Sequence, residues 1–146
     1  MQARFLRDIG VDDIIALDKF NLAPLSTRRD MAMLGLIHRT VLGKGPEHFK
    51  TIFRRDPQQA QRVDDPRRST KSPLVKRSAL GLVAVYNMLP FSLLCQKTVP
   101  AFQKGLQGIV RKYAVSEHEQ WSEVFSPRLP LASHPLNCIS SLPEIL

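Results

Sequence analysis

Arginine and lysine side chains are the residues of this chain whose number and clustering point most directly to a chemistry. Their cationic groups pair with phosphate oxygens, and each phosphate that they neutralise releases counterions, which favours nucleic-acid binding at low salt. The chain has 21 Lys and Arg against 13 Asp and Glu. Seventeen of these basic residues, but five of the acidic ones, lie between residues 28 and 112. The sequence therefore predicts a polyanionic partner, of which RNA or DNA is the commonest.

The predicted nucleic-acid-binding residues come from the start of one helix, from a long basic loop and from the position that follows this loop. They are Arg28, Arg29, Arg54, Arg55, Arg67, Arg68, Lys71, Lys76 and Arg77. No aromatic residue is interleaved with them between residues 54 and 76. Stacking on bases is therefore not supported, and the contacts would be made to the nucleic-acid backbone. The alternative is that these side chains form a basic face that only water solvates.

Single residues of catalytic types have simpler structural interpretations here. His38 lies on the apolar edge of a helix, where a lone histidine is usually a boundary residue with a satisfied hydrogen bond. Ser78 has no base expected nearby and fits a helix cap better than a nucleophile. Cys95 and Cys138 lack the spacing of a zinc site or a disulfide framework. We expect no cofactor, no metal, and a reducing intracellular location, cytoplasmic or nuclear.

Two amphipathic helices are predicted in the first third of the chain. The first covers residues 11–20, and a break at Pro24 follows it. Its buried stripe is predicted to consist of Val11, Ile14, Ile15 and Leu17. The second begins at a capping-box pattern formed by Thr27 and Asp30 and ends at Gly43, where a left-handed cap costs glycine little. Its buried stripe is predicted to consist of Met31, Leu34, Ile37, His38 and Val41.

Three further helices are predicted downstream. One starts at Pro46, a residue that fits the first helical position, and its buried edge is Phe49, Ile52 and Phe53. Another ends at Leu89, before Pro90, although its apolar residues also alternate as in a strand. The last has Thr98 as its cap and the clearest apolar period of the chain. Its apolar positions are Val99, Phe102, Leu106, Ile109, Val110 and Tyr113.

These segments predict an all-α fold, a small irregular bundle of about five helices. The helical domain covers residues 1–113 and contains the basic loop 54–76, from which hydrophobic residues nearly vanish. Residues 114–146 have four prolines after residue 126, and we expect a loosely packed or disordered tail in which Trp121 makes a satellite core contact or anchors a partner. The predicted core consists of Phe49, Phe53, Leu82, Tyr86, Phe102 and Leu106.

The order of several short motifs resembles the C-terminal segment of non-LTR, LINE-type retrotransposon reverse transcriptases, downstream of the polymerase domain. The first motif is the Leu-x-x-Arg-Arg helix that includes Arg28 and Arg29, followed by the basic linker. Next come an Arg-Ser pair, an aromatic-Asn-x-Leu-Pro turn and a Phe-Gln-x-x-Leu helix. These last three are Arg77-Ser78, Tyr86-Asn87-Met88-Leu89-Pro90 and Phe102-Gln103-Lys104-Gly105-Leu106. The resemblance covers about residues 11–112 and lies in order and spacing more than in any single motif.

The resemblance implies a chain that helps to hold template RNA or target DNA. Polymerases of this class need an aspartate pair at a tight hairpin, and a third aspartate nearby, to hold two magnesium ions. The adjacent acidic pairs of this chain are Asp12-Asp13, at a helix start, and Asp64-Asp65, in the basic loop. Neither pair has the residues of the family's hairpin around it. We therefore expect no polymerase activity and assign no catalytic residue.

Two other functions remain open at this point. The helices could form a protein–protein interaction module that completes a larger protein, such as the upstream polymerase domain that the resemblance implies. The chain could also be a translated retroelement remnant with no selected function. No apolar run reaches the roughly 18 to 20 residues that span a bilayer, so a membrane partner is not expected.

Overall fold

The computed structural model describes residues 2–50, residue 53 and residues 81–141. Within these ranges the chain is helical and has no strand, which confirms the predicted all-α class and excludes the strand alternative around residue 82. The α-helices are α1 (Gln2–Asp8), α2 (Asp13–Phe20), α3 (Leu25–Val41), α4 (Leu82–Met88), α5 (Phe91–Leu94) and α6 (Val99–Val115). Short 3-10 helices cover Glu47–Phe49, Trp121–Glu123, Leu131–Ser133 and Pro135–Ser141.

The N-terminal pair of helices differs from the sequence prediction in two respects. Helix α1 precedes the first predicted helix and has Leu6 as its buried residue. Helix α2 begins after Asp12, whose carboxylate accepts a hydrogen bond from the Ile14 amide. Its buried residues are Ala16 and Leu17, whereas Ile14 and Ile15 are 36% and 44% exposed. The predicted stripe is wrong for the two isoleucines, because α2 turns the face of Ala16 and Leu17 towards the core.

Helix α3 starts three residues earlier than predicted, since its cap is Pro24 and not Thr27. Pro24 is its N-cap, and the Pro24 carbonyl accepts the Arg28 amide at 3.0 Å. Thr27 therefore lies within the first turn, and the predicted capping box is wrong. The C-terminal prediction is confirmed, since the helix ends at Val41 and Gly43 has a φ of +80°, a left-handed conformation that favours glycine. The buried stripe is also confirmed for Met31, Leu34, Ile37 and His38.

Among the described residues that follow α3, Glu47–Phe49 form a 3-10 turn where the start of an α-helix was predicted. Pro46 is the N-cap of Glu47–Phe49, so the turn begins one residue later than the predicted start at Pro46. Phe49 packs against the core and Phe53 is 3% exposed, as predicted. Ile52 and the predicted basic loop 54–76 lie outside the described residues.

Proline sets the boundary between α4 and α5. Leu89 is extended, with ψ of 152°, because the residue before a proline is pushed out of the helical region. Pro90 then caps the short helix α5, whose Leu93 and Leu94 are buried. The predicted end of α4 at Leu89 is confirmed.

Helix α6, which like α3 has 17 residues, lies against α3. Thr98 caps it by accepting the Ala101 amide at 3.4 Å, as predicted. A Cβ at position 35 of α3 would lie 2.7 Å from Gln103 Nε2, so the two helices approach closely at Gly35. The residues of α6 in the core are Phe102, Leu106, Ile109, Val110, Tyr113 and Ala114.

The described part of the predicted tail contributes to the same core. Val124 and Phe125 are fully buried and Leu136 is 3% exposed. The Tyr113 hydroxyl donates a hydrogen bond to the Pro135 carbonyl, and Trp121 packs, partly buried, against the core. Residues 121–136 thus differ from the loosely packed tail that the prolines predict, because short 3-10 turns bring their few apolar side chains back onto α6.

No helix among the described residues has the length and apolar character needed to cross a membrane.

Candidate functional site

The two predicted nucleic-acid-binding residues that the structure describes are neighbours on the first turns of α3. Arg28 and Arg29 are both exposed. The Arg28 guanidinium donates a hydrogen bond to the Gln2 side-chain oxygen, which ties α1 to α3. The remaining predicted residues lie outside the described residues: Arg54, Arg55, Arg67, Arg68, Lys71, Lys76 and Arg77.

Most cations in the described part of the chain are not neutralised internally. The ion pair found there joins Lys50 to Glu47, with 2.8 Å between Nζ and Oε1. Exposed cations of residues 28–128 that form no ion pair within the described ranges are Arg28, Arg29, Arg39, Lys44, Lys97, Lys104 and Arg128. Their charge is therefore available to an external anion.

Two buried side chains hold the C-terminal segment in place, one by a hydrogen bond from α3 and the other by hydrogen bonds within the segment itself. Thr27 is 1% exposed, and its hydroxyl donates to the Ser122 carbonyl at 2.5 Å. His134 is also 1% exposed, and its Nε2 lies 2.9 Å from the Ser126 carbonyl. Because a carbonyl only accepts, Nε2 carries the proton, and Nδ1 is left to accept the Leu136 amide at 3.3 Å. Residues 122–126 are thereby held at both ends.

Burial and this hydrogen-bond pattern keep His134 neutral. Burial lowers the pKa of His134, while the hydrogen bond to the Ser126 carbonyl opposes that shift. A proton on Nδ1 would face the Leu136 amide, which is itself a donor. The imidazole therefore acts as a structural link between the tail and its own preceding turn.

A cavity of about 190 Å³ lies between the start of α3 and the segment 122–129. Two arginines face it, Arg29 from α3 and Arg128 from the segment. The complete lining is Ser26, Arg29, Asp30, Ser122, Glu123, Ser126, Pro127, Arg128 and Leu129. Serine hydroxyls and guanidinium groups are donors that recognise oxyanions in proteins. We call this cavity the arginine pocket.

Asp30 is the acidic residue of the arginine pocket that α3 contributes. Burial raises the pKa of its carboxyl to about 6, against the opposing charges of Arg128 and Arg29, which lower it. Burial thus removes water from the charged Asp30 carboxylate, and no ion pair in the described part of the chain compensates for this loss. Its protonation state changes close to neutral pH.

Replacing Asp30 with asparagine is expected to stabilise the protein at pH 7. The pKa of Asp30 is higher in the folded chain, about 6, than its ordinary value of 3.8. The stability that the protonated group contributes is therefore complete below pH 3.8 and is lost as the pH rises through 6. Because the group is partly exposed, we expect a gain of about 1 kcal/mol at pH 7 that disappears at pH 4. Urea unfolding at pH 7 and at pH 4 measures this gain in stability, and Asp18→Asn on the exposed face of α2 is the control.

If Asp30→Asn raised the free energy of unfolding equally at pH 7 and pH 4, the role of the buried charge would be contradicted. An effect that does not involve the charge of Asp30 would not change between these pH values.

His38 is a core residue and not the boundary residue that the sequence predicts. It is fully buried, with Nε2 2.7 Å from the Gln96 carbonyl and Nδ1 2.8 Å from the Tyr86 hydroxyl. Its ring stacks on Phe102 with 4.1 Å between centroids and 6° between planes. The predicted satisfied hydrogen bond is confirmed. Its burial, stacking and hydrogen bonds make the ring part of the core.

The acidic pair Asp12-Asp13 lies at a helix start, as predicted, where Asp12 caps α2. Asp64 and Asp65 lie outside the described residues. No group of three His, Cys, Asp or Glu side chains in the described ranges is arranged to hold a metal ion.

Sequence reasoning did not single out the residues that line the arginine pocket from the C-terminal side. Arg128 is the lone Lys or Arg between positions 114 and 146. This isolated positive charge was the sequence feature that could have marked it as a binding residue. Ser122 and Ser126 carry no sequence pattern that marks them. Arg29, a predicted residue, meets them only because the chain folds residue 122 back against residue 27.

Comparison of the chain with protein-family models, with curated proteins and with solved structures finds no match. The class of protein that the structure itself defines is a small all-α bundle with a basic surface and a polar cavity beside α3.

Proposed function

We propose that the chain is a non-catalytic nucleic-acid-binding module that contacts the phosphate backbone of RNA or DNA, as the resemblance to the post-polymerase region of LINE-type reverse transcriptases implies. The observation that supports it most is the set of exposed cations without an ion pair in the described residues. All of these cations except Arg128 lie in the segment 28–112, where the sequence places most of its basic residues. Such a surface attracts polyanions without selecting a base sequence.

Binding is expected to be strongly salt-dependent and tolerant of sequence. For about three phosphate contacts to duplex DNA, affinity falls on the order of 100-fold between roughly 50 and 300 mM salt. The measurement is fluorescence anisotropy of labelled single-stranded RNA and duplex DNA of scrambled sequences. A double variant, Arg67→Ala with Arg68→Ala, is expected to weaken binding and reduce the salt slope by up to about two.

The matched control for this experiment is Arg4→Ala with Arg7→Ala. It removes the same charge from α1, outside the basic segment, where both residues are exposed. Equal weakening in the two double variants would overturn a localised binding surface and leave only the net charge as the cause.

A second candidate function is favoured by exposed apolar side chains near the N-terminus. Phe5, Phe20 and Leu25 are 55%, 59% and 50% exposed. Such residues suit a module that packs against a partner protein, for instance an upstream polymerase domain. Absence of RNA and DNA binding from a folded, monodisperse sample would overturn the nucleic-acid proposal and favour this one.

A further inference from the structure

We propose that the arginine pocket binds one phosphate-type oxyanion between Arg29 and Arg128, and that Asp30 takes up a proton when the anion binds. The inference does not rest on the proposed function. Free phosphate and a phosphate group of a nucleic acid present the same oxygens, and Arg128 lies outside the basic segment 28–112.

The size and donors of the arginine pocket suit such an anion. Its volume of about 190 Å³ is several times the roughly 30 Å³ that a water occupies in the liquid. A tetrahedral anion and a few waters therefore fit. Ser26, Ser122 and Ser126 line the pocket with hydroxyl groups. Guanidinium groups from two different elements can approach the anion from two sides, and each presents paired donors.

The wall that carries Arg128 is preorganised. Arg128 follows Ser126 by two residues, and its amide donates to the Ser126 hydroxyl at 3.2 Å. The Ser126 carbonyl is held by the buried His134, and the Ser122 carbonyl by the buried Thr27. Binding an anion here therefore orders few additional groups, and preorganisation lowers the cost of binding.

The acidic groups of the arginine pocket decide how anion binding depends on pH. Asp30 and Glu123 line it together with Arg29 and Arg128. Glu123 is exposed and water screens its charge, whereas Asp30 is half-buried. A carboxylate at Asp30 repels the anion, and a protonated carboxyl can donate a hydrogen bond to it. An incoming anion therefore favours protonation of Asp30, and by linkage protonation strengthens anion binding.

The test is an NMR titration with sulfate, an anion whose charge stays constant from pH 5 to pH 8. Amide shifts of residues 122–129 are followed while chloride keeps the ionic strength constant. We expect saturable shifts in these residues, with affinity several-fold higher at pH 5 than at pH 7.5. Arg128→Gln should weaken sulfate about tenfold. Asp30→Asn should bind more tightly than the wild type at pH 7.5 and lose the pH dependence.

The control variant is Arg39→Gln. Arg39 is exposed on the same helix, about 15 Å along α3 from Arg29 at 1.5 Å per residue, and it should leave sulfate affinity unchanged. Shifts that do not saturate, or that survive Arg128→Gln, would overturn the proposal, as would a pH dependence that survives Asp30→Asn.

A second arm identifies the source of the phosphate group. Inorganic phosphate and a short single-stranded oligonucleotide are each added to the sulfate-bound protein. Displacement by both places a nucleic-acid phosphate in the arginine pocket, and displacement by inorganic phosphate alone makes the ligand a free anion. If Arg67→Ala with Arg68→Ala fails to weaken oligonucleotide binding, that result concerns the proposed function and leaves this test unaffected.

Discussion

Phe125→Ala is expected to lower the free energy of unfolding by about 3 to 5 kcal/mol. The ring is fully buried in the core shared with α3 and α6. Removing it takes away the transfer free energy of the ring and leaves a cavity, and losses of this size are usual for buried phenylalanine. The loss is a large part of the 5 to 15 kcal/mol by which small proteins are stable. Urea unfolding monitored by circular dichroism measures the change in midpoint.

The matched control for Phe125→Ala is Leu131→Ala. Leu131 lies six residues later on the same segment but is 51% exposed, so its change should stay within about 0.5 kcal/mol. Equal small effects of the two substitutions would contradict the packing of residues 121–136 on the core. They would instead fit the loosely packed tail that the prolines predict.

His38→Ala is expected to cost about 3 to 4 kcal/mol and to reduce the cooperativity of unfolding. The substitution removes the ring that stacks on Phe102 and empties a space between α3, α4 and α6. It also removes the partner of the Gln96 carbonyl and one partner of the Tyr86 hydroxyl. Buried polar groups that lose a partner carry a desolvation cost of about 1 to 3 kcal/mol each. Urea and thermal unfolding both measure the effect.

Tyr86→Phe separates the two contributions to the His38 effect. This change keeps the ring and removes the hydroxyl that lies 2.8 Å from His38 Nδ1, so we expect a loss of about 1 kcal/mol. When His38→Ala and Tyr86→Phe are combined, the loss of unfolding free energy should be smaller than the sum of the two single losses by about 0.5 to 2 kcal/mol, as found for residues in direct contact. Strict additivity would show that the histidine and the tyrosine hydroxyl are energetically independent.

The arginine pocket and the core depend on the same two hydrogen bonds of the C-terminal segment. Thr27 and His134 hold the carbonyls of Ser122 and Ser126, and the same segment brings Phe125 into the core. Stability and anion binding are therefore coupled through residues 122–126. An anion that binds only the folded chain stabilises it by mass action, so sulfate should raise the melting temperature of the wild type more than that of Arg128→Gln.

Local physical chemistry was sufficient to predict α3 and α6 from the sequence and to place the end of α4, although the structure was needed to exclude a strand there. Their buried faces recur with the helical period, and their ends are set by Gly43, Pro90 and Thr98 through effects that act within one turn. The all-α class follows from these segments. The start of α3 was missed by three residues because Pro24 can serve as a cap as well as Thr27.

The tertiary structure alone decided which side chains meet. Residues 121–136 have no helical or strand period that predicts burial, since their order comes from 3-10 turns and prolines. Their place on α3 depends on a hydrogen bond between residues 95 positions apart in sequence. Ile14 and Ile15 share the period of a buried stripe, yet helix orientation left them exposed. The sequence by itself determined an all-α chain with a basic middle segment, because these properties are local or compositional. The hydrogen bonds of His38 to Tyr86 and Gln96 and the meeting of Arg29, Asp30 and Arg128 in one pocket required long-range packing, which no local pattern records.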